Sequence, residues 1–323
     1  MISIGIEGTS HTLGVGIAMD GKILANERDM YKPPEGWGIH PGEAKKHHLE
    51  LKDEMLKRAL EKAKISIEDA DIISYSAGPG LPPCLRVTAE FAGALAEKYG
   101  KALIPVNHCV AHIEIGKLCT GAKDPIMLYV SGGNTQIIGY FNGRYRVFGE
   151  TQDIAIGNAI DMLMRAAGKQ FPGGPVMEKL AKEGKYIEMP YVVKGMDLSF
   201  SGILTAAKNK LASQKLEDIS FSFQETCFSM LVEVAERAMA HTGKNELLLV
   251  GGVAANKRLQ EMCRIMCEER NAIFYPVPME FAGDNGANIA YTGLVQYKNG
   301  AKPIEKSDFW QNWRTDEVEV NWI

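Results

Sequence analysis

His108 and His112, in Asn107-His108-Cys109-Val110-Ala111-His112, are the pair best suited to chemistry. A spacing of four puts both imidazoles on one face of a helix, where a metal ion can bridge them. Asn107 is placed to cap that helix. The Glu of a HExxH zinc-protease motif is absent, so that machinery is incomplete and any further ligand must come from a distant segment. Two unrelated core or surface histidines would show the same spacing.

Tyr129-Val130-Ser131-Gly132-Gly133-Asn134-Thr135 is a Gly-rich turn between two strand-like runs, and backbone N–H groups in such a turn can form an anion-binding nest. It lacks the GK[ST] of a Walker A loop. Gly5–Thr9 occupies the same place in an earlier run, and two such turns face to face would hold a phosphate from both sides. Leu247–Asn256 passes from a buried strand through Gly251-Gly252 into a helix, and Phe171–Pro175 is a second Gly-rich helix entry. Glu178, Asp161 and Asp284 each have an ordinary role as well: a first-turn acid, a solvated helix residue and an N-cap.

These residues sit in a chain of 323, with 36 Lys and Arg against 40 Asp and Glu and 46% hydrophobic residues. That length suits two domains or one large one, and the composition excludes global disorder, collagen and coiled coil. No apolar run approaches the roughly 18 residues of a membrane helix, and the N-terminus meets Glu7 too early for a signal peptide. A cytoplasmic protein is expected. Six cysteines without a CxxC pair fit structural thiols in a reducing compartment. A net charge of −4 argues against gripping nucleic acid unaided, so an RNA substrate would need a local basic patch or a basic partner.

The segment from Ile2 to Asp29 reads as strand, Gly/Thr turn, strand, Asp20-Gly21 turn, strand, and the order repeats from Ile126 with a turn at Asn142-Gly143. Each meander is expected to open one of two related domains. Strands alternate with helices over the rest, for which an α/β architecture is predicted, including helices over 44–64, 88–99, 223–241, 256–270 and 284–298. The last residues, from Trp310 to Ile323, look like a tail laid on the surface or against a partner.

HCVAH, YVSGGNTQ, GNAIDM, FPGGP, GMDLSFSG, SFQET, LLLVGGVAANKRL and DNGANIAYTG follow in that order along the whole chain, with GIEGTSHT, GIHPGEAKKHH and RTDEVE. In these the sequence resembles the archaeal and eukaryotic relatives of bacterial TsaD, the catalytic subunits of the KEOPS complex. The resemblance implies the actin-like ATPase fold, shared with heat-shock chaperone ATPases and sugar kinases, in two ribonuclease-H-like lobes. We place these at 1–124 and at 125–323, the second with inserted helices and the tail. It implies transfer of a threonylcarbamoyl group from threonylcarbamoyl adenylate to N6 of the adenosine 3′ of the anticodon in tRNAs reading ANN codons, with release of AMP.

By motif, the resemblance makes His108, His112, Tyr129 and Asp284 ligands of one metal ion, iron ahead of zinc. It puts Tyr129, Val130, Ser131, Gly132 and Gly133 at the phosphates of an adenine nucleotide, bound as threonylcarbamoyl adenylate, ATP or AMP. Asp161, Gly174, Glu178 and Asn256 would hold the nucleoside. Glu7 and His11 are the candidates for managing the proton or positioning phosphate. The implied partners are tRNA and the KEOPS subunits, among them a small kinase-like ATPase; no membrane is implied. An ATP-dependent kinase or ATPase of the same fold, a metalloprotease and a non-catalytic assembly subunit are the alternatives.

Overall fold

The computed structural model describes residues 1–34 and 36–323. The first half runs β1 (Ile2–Glu7), β2 (Thr12–Met19), β3 (Lys22–Met30), α1 (Pro41–Ala63), β4 (Ile72–Gly78), α2 (Pro82–Tyr99), β5 (Ala102–Asn107) and α3 (His108–Thr120). The second runs β6 (Ile126–Val130), β7 (Thr135–Phe141), β8 (Arg144–Glu150), α4 (Ile156–Ala166), α5 (Gly173–Ala181), β9 (Val193–Lys194), β10 (Asp197–Leu198), α6 (Ser201–Lys210) and α7 (Leu216–Thr242). It closes with β11 (Glu246–Val250), α8 (Lys257–Glu269), β12 (Ile273–Pro276), α9 (Met279–Ala282) and α10 (Gly286–Lys298). Both predicted meanders are present.

The two sheets have one topology. The first is ordered β3-β2-β1-β4-β5 and the second β8-β7-β6-β11-β12. In each, three antiparallel meander strands are followed by two parallel ones. Parallel strands present their C-terminal ends along one edge, where α/β proteins place their ligands. Glu7, Gly78 and Asn107 end strands of the first sheet, and Val130 and Val250 end strands of the second.

The halves are interlocked by exchanged helices. Val110 and Ile113 of α3 pack with Met127, Leu248 and Val250 of the second sheet. Ile289 and Leu294 of α10 pack with Ile72, Ile104 and Val106 of the first. The first sheet's strands end at Asn107 and the second sheet's begin at Ile126, while helices α3 and α10 pack across that division. The tail crosses it too: Trp310 N–H donates to Ala77 O at 2.7 Å and Val320 N–H to Gly143 O at 2.8 Å. Among the described residues no helix is long and apolar enough to cross a membrane, and all six cysteines are free.

Two helix starts differ from expectation. Helix α2 begins at Pro82, six residues before the predicted Thr88, because Pro82 and Pro83 lack only N–H groups that a first turn leaves unbonded anyway. Helix α10 begins at Gly286 and its cap is Asn285, whose side chain accepts from Asn288 N–H, so Asp284 is not the cap. The approach of α10 to β2 is backbone against backbone: a Cβ on Gly286 would overlap the main chain at Val15 and Gly16. Gly286→Ala should therefore cost at least about 3 kcal/mol, as overpacking against unyielding backbone does. Denaturant unfolding checks this, and a loss below about 1 kcal/mol would show that the helix can slide.

Candidate metal and nucleotide site

Helix α3 delivers His108 and His112 from the end of β5. Asn107 caps it as predicted, its side-chain oxygen accepting from Cys109 and Val110 N–H. Further along, buried Glu114 accepts from the Tyr145 hydroxyl and lies 3.6 Å from Lys117 Nζ, which fixes the roll of the helix against β8. The loop between α9 and α10 brings Asp284 to the same point. Asp284 Oδ1 lies 3.5 Å from His108 Nε2 and 3.3 Å from His112 Nε2. The three residues offer one ligand atom each within a span of 4.8 Å.

Tyr129, at the end of β6, stands with its ring centroid 5.3 Å from that of His112. Its hydroxyl is buried without a hydrogen-bond partner. Such an orphan costs about 1–3 kcal/mol unless something binds it. Burial pushes the phenol well above its usual pKa. A cation between both imidazoles and the carboxylate would satisfy those three groups, so they fit a metal ion, with the buried Tyr129 hydroxyl beside His112 as a candidate fourth donor. The mixed N/O set accepts iron or zinc alike.

Charge points the same way. Burial disfavours a charged His108, yet the Glu7 and Asp284 carboxylates on either side outweigh it and raise this imidazole to about 9. Burial would raise Asp284, but the imidazoles hold it well below the usual carboxylate range. Burial lowers His112. The cluster is a buried anionic pocket that draws positive charge.

Glu7 lies deep in this site, 1% exposed. One oxygen accepts from His108 Nδ1 at 3.0 Å and the other from Thr9 N and Oγ1 at 2.7 and 2.6 Å. It orients an imidazole, which is how outer-shell carboxylates act on metal-bound histidines. The Gly5–Thr9 turn is consequently not the mirror-image phosphate nest expected, since Thr9 N–H goes to Glu7 and Gly8 N–H to Ser76 Oγ. His11 stands half-buried with its ring 5.5 Å from that of Phe171. Burial lowers its pKa.

The turn after Tyr129 is held rigid by Ser131, whose Oγ accepts from Asn134 N–H at 2.9 Å and Gly133 N–H at 3.3 Å. Neither N–H is free for an anion, but Cβ atoms at Gly132 and Gly133 would meet nothing, so that face of the turn is open. Open space also borders Gly174 and Gly252. Gly251, at φ +97°, has to be glycine because a Cβ would overlap Val130 O.

One hydrogen-bonded wall joins the remaining candidates. Ser131 O accepts from Gly157 N–H of α4 at 3.1 Å. Asp161 of α4 accepts from Gly173 N–H of α5 at 2.7 Å. Glu178 of α5 accepts from Lys257 N–H of α8 at 3.0 Å. Asn256 caps α8 and donates to Gln224 at 3.0 Å, so its amide is largely committed within the chain rather than free for a base edge. Gln224, within the quoted SFQET motif, is a contributor to which the sequence assigned no role, and Thr9, expected only as part of the Gly5–Thr9 turn, instead holds Glu7.

A family model described as TsaD, tRNA N6-adenosine threonylcarbamoyltransferase, matches residues 22–291. The chain belongs to this family. It is 58% identical over 326 residues to the tRNA N6-adenosine threonylcarbamoyltransferase of Thermococcus sibiricus, covering 100% of both chains. It is 54% identical to the probable bifunctional tRNA threonylcarbamoyladenosine biosynthesis protein of Methanocaldococcus jannaschii, covering 100% of this chain and 61% of that one. The fold is shared at 13% identity with the activator of the 2-hydroxyisocaproyl-CoA dehydratase from Clostridium difficile, solved with bound ADPNP. The TM-score is 0.57, with 92% of this chain and 96% of that chain covered. As a TsaD-family transferase with an actin-like ATPase fold, the chain carries Glu7, Tyr129 and Val130 at strand ends, His108 and His112 on α3, Asp161 on α4, Gly174 and Glu178 on α5, and Asp284 just before α10.

Asp161 yields a pH signature. Burial raises its carboxyl to about 6 against the pull of Gly173 N–H, from an unfolded value of 3.8. Between those values the folded state holds the extra proton, so stability falls as pH rises through the window and levels off above it. Asp161→Asn, which can still accept from Gly173, should remove that fall. It should leave the variant about 1–3 kcal/mol more stable at pH 7.5 and near parity at pH 4. Urea unfolding at both pH values decides it, and parallel profiles would mean the carboxyl is solvated.

Proposed function

We propose that this TsaD-family chain transfers the threonylcarbamoyl group of threonylcarbamoyl adenylate to N6 of the adenosine 3′ of the anticodon in tRNAs reading ANN codons, releasing AMP. The observation that carries the reading is the His108–His112–Asp284 cluster, with both imidazoles buried, beside the orphan Tyr129 hydroxyl, three residues before an open Gly132-Gly133 turn. A donor with a phosphate and a nucleoside would lie along the turn, with Gly174, Asp161, Glu178 and Asn256 beside its nucleoside. Asp161 and Glu178 suit ribose hydroxyls.

His108, His112, Tyr129 and Asp284 would hold one metal ion, which when bound supplies Lewis-acid polarisation of donor oxygens. The chain's own residues orient and desolvate the donor. The adenine N6 then attacks the carbamoyl carbon, a C–N bond forms, the bond to the phosphate oxygen breaks, and the amine proton leaves. His11, the half-buried imidazole at the cleft, is the candidate to take that proton, and Glu7 positions His108. No Ser or Cys nucleophile is needed, since direct acyl transfer requires only alignment and charge stabilisation.

Two observations support partners in the form of KEOPS subunits, a small kinase-like ATPase among them. The chain is acidic, at −4, where the substrate is a polyanion. Its Methanocaldococcus relative is a longer protein named as bifunctional. A kinase or ATPase activity is the second reading, favoured by the nucleotide in the fold relative. The test is transfer from synthetic threonylcarbamoyl adenylate to unmodified tRNA, scored by nucleoside mass spectrometry for the isolated chain and the reconstituted complex across a salt series. Modified adenosine is expected with the complex and little with the chain alone. Gly132→Val should weaken AMP binding by about tenfold or more, roughly 1.4 kcal/mol, with an unchanged melting temperature. Equal rates with and without partners would overturn the partner requirement. ATP turnover without tRNA product would favour the second reading.

A further inference from the structure

Each imidazole of the cluster points Nε2 at Asp284 and turns Nδ1 away. His108 Nδ1 meets Glu7 Oε2, an acceptor that suits a protonated Nδ1. His112 Nδ1 meets something different: Asn288 Nδ2, at 3.3 Å. Asn288 stands four residues after Asp284, in the first turn of α10, and is 2% exposed. Its Oδ1 is buried with no hydrogen-bond partner.

In the tautomer that lets Nδ2 donate to it, His112 Nδ1 carries the lone pair and the ring proton sits on Nε2, 3.3 Å from Asp284 Oδ1. That arrangement suits an imidazole without metal. A metal on Nε2 moves the proton to Nδ1, which then needs an acceptor. Half a turn of the Asn288 amide about its Cβ–Cγ bond presents Oδ1 to that N–H and moves Nδ2 to the position the unpartnered oxygen held. Phe281 O, 3.5 Å from Asn288 Nδ2, also lies 3.5 Å from Asn285 Nδ2 and so keeps a donor.

We infer that Asn288 is a positioning residue whose amide serves both tautomers of His112, holding the ring in one place before and after metal binds. An acid there would serve only the metal-bound tautomer, and an aliphatic residue neither. The inference rests on the metal reading of His108, His112 and Asp284.

The test uses the full-length protein stripped of metal and titrated with zinc, with His112 followed by long-range nitrogen–proton NMR of labelled imidazoles. The expected result is an Nε2–H tautomer without zinc and an Nδ1–H tautomer with it. Asn288→Leu, matched in shape, should weaken zinc binding by about 10–100-fold, as loss of an outer-shell partner does. Asn288→Asp should bind at least as tightly as the native protein. Unchanged zinc affinity in Asn288→Leu, or an Nδ1–H tautomer before zinc is added, would overturn the inference. Should Asn288→Leu not fold, the tautomer switch in the native protein decides alone. Zinc affinity indifferent to His112→Ala would instead overturn the metal reading, and this inference with it.

Discussion

A carboxylate in contact with two imidazoles is the constraint on which the rest of the structure depends. Asp284 keeps 19% of its side chain exposed, and the two imidazoles hold it below the usual carboxylate range; removing them would leave a largely buried charge unpaired. His108 and His112 come from a segment about 170 residues away in sequence, and Tyr129 adds an oxygen with nowhere else to turn. The docking of α3 and α10 therefore has little freedom. Asn107 and the Glu114–Tyr145–Lys117 cluster hold α3 in rotation, and the Gly16–Gly286 backbone contact holds α10 in depth.

The duplicated sheets explain how such a centre arises between halves. Each half ends in a helix that packs on the other half's sheet, so the ligands on α3 and ahead of α10 are carried across the boundary in opposite directions. The cleft-side strand ends supply the rest: Glu7 from β1 and Tyr129 from β6 occupy equivalent strands of the two sheets. One has become a support for an imidazole and the other a candidate ligand. The two sheets share one frame and differ in the chemistry at these strand ends.

Much of this was legible from residue patterns. The meanders showed through alternation and their Asp-Gly and Asn-Gly turns, and the buried strand ahead of Gly251-Gly252 is β11, Glu246–Val250. The four-residue spacing of the histidines and the Asn107 cap were local signals and were readable. What stayed hidden depends on contacts distant in sequence. The approach of α10 to β2 is set by small residues at Gly16 and Gly286, which carry no periodic signature. Asp284 looked like a cap because Asn285 beside it serves equally well, and only tertiary contact with the histidines distinguishes them. Asn256 looked available until Gln224, 32 residues away, took its amide. The N–H groups of the first Gly turn looked free until Ser76 and Glu7 claimed them.

The central claim is that one metal ion joins the two halves at His108, His112, Tyr129 and Asp284. Anomalous diffraction from crystals of the native protein, at the iron and zinc absorption edges, tests it most directly. The account predicts a single strong peak bonded to both Nε2 atoms, the Asp284 carboxylate and the Tyr129 hydroxyl. A site showing only water there, or a peak ligated elsewhere on the chain, would contradict it.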